Sequence, residues 1–329
     1  MPIEPGQDPA VIERAARLIA AGGLVAFATE TVYGLGARAD DDTAVAAIFA
    51  AKGRPADHPL IVHVADAAAA AAFAEPPGEA AGRLMRAFWP GSVSIVLRRR
   101  QGVGAAAAAG ASTVALRCPS HPVAQALLRR CRELGVPGIA APSANRFGRV
   151  SPTRAQHVLD EFGAQLLIVD GGPSQAGIES AIVDCSGPTP RLLRPGSLPR
   201  AVLQAALGDA LGRPDAVSPR VSGSLESHYA PHAQVLLVPG DELAAQVRQL
   251  QARHGPDAVA AWSRRRPPGV AGTGWRPMPD NAADAAHQLF DTLRGWDAQG
   301  VQAICVELPP DSADWDGVRD RLQRAAAPR

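Results

Sequence analysis

The chain has 329 residues, 47% hydrophobic and 20% charged, with a formal net charge of +1. That is an ordinary globular balance and enough chain for about two domains with substantial cores. It excludes a protein that grips nucleic acid by bulk charge, so any RNA contact has to use a local basic patch, and 4% aromatic content argues against a stacking platform for single strands.

Pro9 to Ala21 has helical spacing, with Val11, Ala15, Leu18 and Ile19 on one face and Gly22-Gly23 at its end. Leu24 to Thr29 reads as an apolar strand that leads into Glu30-Thr31-Val32-Tyr33-Gly34-Leu35-Gly36. Ala44 to Ala51 reads as a helix, capped by Asp41 or Asp42, stopped by Gly53 and kept from continuing by Pro55. Further strands are expected at Leu60–Val64, Val93–Leu97, Thr113–Arg117, Gly138–Pro142, Leu166–Asp170 and Ala181–Asp184, separated by helical patterns at Glu79–Phe88, Pro122–Leu134 and Thr153–Phe162. This alternation argues for an α/β domain over residues 1–200, and the uneven spacing points to a mixed sheet. Proline and glycine then punctuate 201–234, a linker or lid interrupted by one short helix at Arg200–Leu211. Residues 235–329 repeat a strand–helix alternation on a smaller scale, with strands at Val235–Val238, Ala258–Trp262 and Ala303–Leu308 and helices at Asp241–Ala252 and Asn281–Trp296.

Cys118, Cys131, Cys185 and Cys305 form no CxxC pair and suit neither a disulfide framework nor a zinc site, which fits reduced thiols in a cytoplasmic protein. Met1–Asp8 lacks the apolar stretch of a signal peptide, and no apolar run approaches the roughly 20 residues that cross a membrane. The chain also has no P-loop, GxGxxG, GxSxG or HExxH motif.

Five clusters carry chemistry. Lys52-Gly53-Arg54-Pro55 sets two fixed cations on a turn before a strand that holds His63, with His58 just ahead of it. Two cations on one side suit a polyphosphate, while the plainer alternative is a helix-dipole complement and a solvated arginine. Glu30–Gly36 offers a threonine hydroxyl and close backbone approach, or is only a strand-to-helix turn. In Ser112–Pro119, Thr113, Ala115 and Arg117 share a strand face. An arginine there needs a partner, either a ligand carboxylate or an internal aspartate. Ala141-Pro142-Ser143-Ala144-Asn145 with Ser151-Pro152-Thr153 resembles a phosphate or ribose cradle, or else caps the following helix. Glu179–Asp184 precedes Arg191–Gly196, where Arg194 either binds an anion or ties down the linker.

Taken in order, ETVYGLG, KGRPxxxPLIVHV, STVALR, PSAN with SPT, ESxIVD, RPG and Ser227-His228-Tyr229-Ala230-Pro231 resemble the YrdC-like family in its long, two-domain form, the bacterial threonylcarbamoyl-AMP synthases. The resemblance implies a YrdC-like mixed twisted sheet with flanking helices, followed by a small Rossmann-like α/β domain. It implies nucleotidyl transfer in which L-threonine, bicarbonate or CO2, and ATP give threonylcarbamoyl-AMP and pyrophosphate. Mg2+ is expected on the phosphates, and the product passes to a transferase that modifies tRNA. It puts threonine near Thr31, His63, Arg117 and Ser180, with Ala181 standing where the family has a hydroxyl. It puts ATP near Lys52, Arg54, Thr113, Ser143, Asn145, Ser151, Arg194 and Tyr229, with Lys52 and Arg54 serving the chemistry and Tyr229 on a lid. Two other classes of function remain in view: a YrdC-like module that binds RNA without synthase activity, and a generic nucleotide-binding protein with a regulatory second domain.

Overall fold

The computed structural model describes residues 2–208, 210–223, 228–270 and 274–328. Residues 209 and 224–227 of the expected linker, including Ser227 of its motif, lie outside the described residues. The chain divides into two compact units, Met1–Phe147 with Ser151–Ser224, and Gly148–Val150 with Leu225–Arg329.

In the first unit, helices form where caps and periodicity favour them. α1 (Pro9–Ala20) starts behind Asp8, whose carboxylate accepts from the Ala10 amide. α2 (Asp42–Lys52) is capped by Asp41 and ends at Gly53, whose φ of 63° is the left-handed conformation that glycine adopts without penalty. α3 (Glu79–Phe88), α4 (Pro122–Glu133), α5 (Ala155–Phe162) and α6 (Arg200–Leu207) complete the set. α5 begins two residues after Thr153, and its N-cap position is Arg154.

Ten strands form one mixed sheet: β1 (Ile3–Pro5), β2 (Val25–Phe27), β3 (Gly34–Arg38), β4 (Ile61–His63), β5 (Val93–Arg98), β6 (Thr113–Arg117), β7 (Ile139–Ala140), β8 (Leu167–Asp170), β9 (Ala181–Asp184) and β10 (Arg191–Arg194). Their order is β1-β8-β2-β3-β7-β4-β6-β5-β9-β10. The β1/β8, β2/β8, β4/β6 and β5/β9 pairs are parallel and the rest antiparallel. The Gly34–Gly36 segment is not a strand-to-helix turn: it is β3, folded back antiparallel on β2.

The two faces of this sheet are covered differently, and the alternation along each strand shows how. Ala26, Val62, Leu116, Ile95 and Val183 point to a core closed by α2, α3, α5 and α6. Val25, Phe27, Ile139 and Val169 point to the opposite face, where α1 and α4 pack over β8, β2 and β7. On that second face, the half made by β4, β6, β5 and β9 carries a smaller apolar cluster of Ile61, Val96 and Ile182, closed by Val221. Beside this cluster sit the polar side chains of the candidate site.

The second unit is a smaller α/β layer. β11 (Gln234–Val238), β12 (Val259–Ser263), β13 (Trp275–Pro277) and β14 (Ala303–Glu307) form an all-parallel sheet in the order β11-β14-β12-β13. α7 (Leu243–His254) packs on the face of Val259, Ala261, Ala303 and Cys305. α8 (Ala282–Ala298) and α9 (Asp316–Ala326) complete the unit.

Gly36 shows how tightly the first sheet is built. A Cβ there would lie 2.7 Å from Ile139 Cγ2 and 2.8 Å from Phe27 Cε1, both in the core, whereas one at Gly78 meets nothing within 4 Å. Overpacking of that kind costs roughly 1–3 kcal/mol. Gly36→Ala should therefore lower the urea midpoint clearly and Gly78→Ala much less. Equal midpoints for the two variants would contradict this packing.

Candidate active site

His63, Arg117, Ser94 and Ser180 line up across β4, β6, β5 and the start of β9. His63 and Arg117 are direct register partners, and the Ser94 and Ser180 hydroxyls lie 2.8 Å apart. Thr31, in the loop between β2 and β3, reaches the same place and accepts a 2.8 Å hydrogen bond from Arg117 Nη1. The four residues expected around threonine are thus gathered at one end of the sheet.

Arg117 is buried, so its charge has to be met inside the protein. Nε donates to the Gly91 carbonyl at 3.1 Å, and Nη2 lies 2.6 Å from Glu30 Oε1 in a buried ion pair. The internal partner is therefore a glutamate rather than the aspartate considered from sequence. The short Nη2–Oε1 approach lacks hydrogen-bond alignment: among the described residues, Nη2, both Glu30 carboxylate oxygens and His63 Nδ1 have no hydrogen-bond partner. Burial pushes the Glu30 carboxyl up, but the Arg117 guanidinium outweighs it and the net shift is downward. Burial, reinforced by the Arg117 charge, pulls the His63 imidazole down to about 3, so it is neutral at ordinary pH. Its ring meets Phe27 edge-on, with centroids 6.2 Å apart.

Of the cations expected on phosphate, Arg194 touches this row at Ser180, Arg54 shares the Ser222 segment with Arg194, and Lys52 joins the loop after β7. Lys52, the last residue of α2, is buried, and its amine donates to the Ser143 carbonyl at 2.5 Å and to the Asn145 carbonyl. This ties the end of α2 to the loop after β7. Arg54 is buried, donates to the Pro59 carbonyl at 3.1 Å and stands over the Phe147 ring at 5.7 Å. The solvated-arginine alternative does not hold. Arg194, at the end of β10, donates to the Ser180 carbonyl from Nε at 3.1 Å and Nη2 at 2.9 Å, and to the Ser222 carbonyl from Nη1 at 2.8 Å. Ser151 is buried and donates to Glu179 Oε1 at 2.5 Å.

One expected ATP residue stands apart from this group, and another belongs to the second unit. Thr113 lies at the other end of β6 and lines a cavity of about 900 Å³ with Arg98, Ser186 and Arg220. Tyr229 belongs to the second unit, where its ring lies 5.4 Å from that of Phe290 and below the Arg321 guanidinium at 5.5 Å. Glu30 and Glu179 open two of the clusters read from the sequence but have no role assigned there. Glu30 was visible in part, as a carboxylate between two threonines at a strand end. Ser94 and Ser222 stand outside every cluster read from the sequence. Among the described residues, no three His, Cys, Asp or Glu come together as a metal cage.

A mixed sheet whose less covered face gathers buried cations, hydroxyls and a carboxylate defines a YrdC-like α/β protein with a polar ligand cradle. Residues 17–196 match the family model described as telomere recombination, and residues 198–327 match the one described as the C-terminal domain of threonylcarbamoyl-AMP synthase. The chain is 37% identical over 331 residues to threonylcarbamoyl-AMP synthase of Bacillus subtilis, covering 98% of this chain and 94% of that one. The crystal structure of Pyrococcus abyssi Sua5 complexed with L-threonine superposes with a TM-score of 0.86 at 35% identity, over 97% of this chain and 95% of that one. A shorter relative, the putative threonylcarbamoyl-AMP synthase of Mycobacterium tuberculosis, is 39% identical over 206 residues, 62% of this chain and 93% of its own. The chain belongs to the two-domain threonylcarbamoyl-AMP synthase family.

The buried neutral His63 gives a pH test. The ordinary histidine value is 6.5 and the folded one is about 3, so between them the unfolded chain binds a proton that the folded chain refuses. This contribution to stability is intact above pH 6.5 and is lost as pH falls toward 3. Wild type should therefore lose more unfolding free energy than His63→Asn between pH 7.5 and 5.0 in urea titrations. Identical losses would mean that His63 protonates freely in the fold.

Proposed function

We propose that this protein joins L-threonine, bicarbonate or CO2, and ATP into threonylcarbamoyl-AMP and pyrophosphate, acting as a nucleotidyltransferase. The observation that carries the reading is the meeting of two kinds of group in one unit: a buried polar row of Thr31, His63, Arg117 and Ser180, and the buried cations Lys52, Arg54 and Arg194. The full-length match to synthases, including the second domain, favours this over an RNA-binding module.

The threonine ammonium gives up a proton to solvent, and the free amine adds to CO2 and loses a second proton to solvent, forming a carbamate. A carbamate oxygen then attacks the ATP α-phosphorus, and the bond to pyrophosphate breaks. Such a transfer needs positioning and charge neutralisation rather than a protein nucleophile. Arg117 takes the threonine carboxylate, with Thr31, His63 and Ser180 around the rest of the amino acid. Lys52, Arg54 and Arg194 take the phosphates, Ser143, Asn145 and Ser151 line their path, and Thr113 lies toward the nucleoside. Mg2+ arrives on ATP as part of the substrate and neutralises phosphate charge. The segment around Val221 and Ser222, closed over Ile61, Val96 and Ile182 and bonded to Arg194, shields the mixed anhydride from water. The labile product goes to a transferase that moves the threonylcarbamoyl group to tRNA in the cytoplasm. No described helix is long and apolar enough to cross a membrane.

The direct test is incubation with ATP, threonine, bicarbonate and Mg2+, reading pyrophosphate and the adenylate by mass spectrometry. Removing one preorganised charge costs roughly 2–4 kcal/mol of transition-state stabilisation. Lys52→Ala and Arg54→Ala should thus lose on the order of 30- to 10³-fold in rate while remaining folded at the assay temperature, each with a lowered thermal transition because buried carbonyls lose their donor. Arg117→Lys should raise the KM for threonine more than that for ATP, because a bidentate grip on a carboxylate is not reproduced by an ammonium. Wild-type turnover in the Lys52 and Arg54 variants, or equal effects of Arg117→Lys on both substrates, would overturn these roles.

A further inference from the structure

Glu30 takes no part in the reaction as written, yet it is 6% exposed and lies against the residue that holds the threonine carboxylate. Its surroundings define what a ligand has to bring. Thr29 Oγ1 donates to the Val32 carbonyl at 2.5 Å, so in its 2.9 Å contact with Thr31 Oγ1 it is the acceptor and Thr31 the donor. The single Thr31 proton is thereby committed, and its oxygen already accepts from Arg117 Nη1. Thr31 has no proton left for a ligand. Among the described residues, the atoms around it that make no aligned hydrogen bond are Arg117 Nη2 and Glu30 Oε1, which meet only each other as an ion pair at 2.6 Å, together with Glu30 Oε2 and His63 Nδ1. Buried groups of this kind are expected to find partners.

A ligand that satisfies them carries an anion for Arg117 and N–H donors for Glu30. A zwitterionic α-amino acid does both and adds no net charge to a buried ion pair, so its binding leaves no uncompensated charge in the low-dielectric interior. An α-hydroxy acid supplies the anion only. It places that anion near a carboxylate whose nearest cation it competes for, and it brings one hydroxyl proton in place of three ammonium protons.

We propose that Glu30 is the ammonium-recognition residue of the amino-acid subsite and selects α-amino acids over α-hydroxy acids. This assignment rests on the synthase reading. It makes Glu30 a binding residue, with Thr31 and Arg117 as the groups that orient it.

The test measures binding of threonine and of its α-hydroxy counterpart, 2,3-dihydroxybutanoate, to the full chain by calorimetry without ATP. Wild type should prefer threonine. A hydrogen bond to a charged group contributes about 1.5–3 kcal/mol, so Glu30→Gln should shrink the preference ratio roughly 10- to 100-fold. Threonine binding should weaken while the hydroxy acid, relieved of a neighbouring negative charge, binds as well or better. A merely structural Glu30 would instead weaken both ligands together and leave the ratio unchanged, which overturns the assignment. If Glu30→Gln does not fold, Glu30→Asp keeps the charge but withdraws it by one methylene. It should lower the ratio too, and an unchanged ratio there overturns the assignment equally. The two readings fail differently. A wild type that makes pyrophosphate with threonine while the variants keep the ratio removes only the Glu30 assignment. A wild type that binds neither compound removes the assignment, and one that also makes no pyrophosphate or adenylate with threonine, bicarbonate and ATP removes the synthase reading with it.

Discussion

Two guanidinium groups buried on one face of a sheet set the terms for everything around them. An unpaired cation away from water is costly, and a buried ion pair is not by itself a source of stability. Arg117 is met by Glu30, Thr31 and the Gly91 carbonyl. Arg194 is met by the carbonyls of Ser180 and Ser222. The contacts fix the loop after β2, the start of β9 and the segment at Ser222 relative to the strands. The charges that would be a liability in an ordinary core become the rigid frame of a polar cradle.

The frame exists because the sheet is covered unevenly. α1 and α4 close one face over β8, β2 and β7, but over β4, β6, β5 and β9 that same face is left to side chains and to the short segment at Val221. Alternation then does the sorting. Val62, Leu116 and Ile95 go into the helix-covered core, and their neighbours His63, Arg117 and Ser94 appear on the other side. A one-residue slip of register would exchange the two sets, so the packing that stabilises the domain also places the polar row.

Much of this was legible in the sequence because it is local. Asp41 and Gly53 bound α2 as capping rules require, and the apolar runs of β4, β6 and β8 stand out from their flanks. β3 was not legible: Gly-Leu-Gly has poor strand propensity, and its pairing depends on Ile139, about a hundred residues away, leaving no room for a Cβ at Gly36. β1, β10 and β13 are three or four residues long and are defined by the strands they pair with. α9 (Asp316–Ala326) went unread as well, under a charge-rich sequence. At the site, the cations could be picked out because isolated arginines on apolar strands demand partners. The identity of a partner 87 positions away in sequence, Glu30 for Arg117, is a product of the strand order and could not be read from spacing.

The central claim is that one continuous cradle holds an amino acid at Arg117 and a triphosphate at Lys52, Arg54 and Arg194. A crystal structure of this chain with threonine and a non-hydrolysable ATP analogue tests it most directly. The account predicts the threonine carboxylate within hydrogen-bond distance of Arg117, its amine facing the α-phosphate, and the phosphates on the three cations. Threonine bound away from Arg117, or an α-phosphate too distant for attack by a carbamate on the threonine nitrogen, would contradict it.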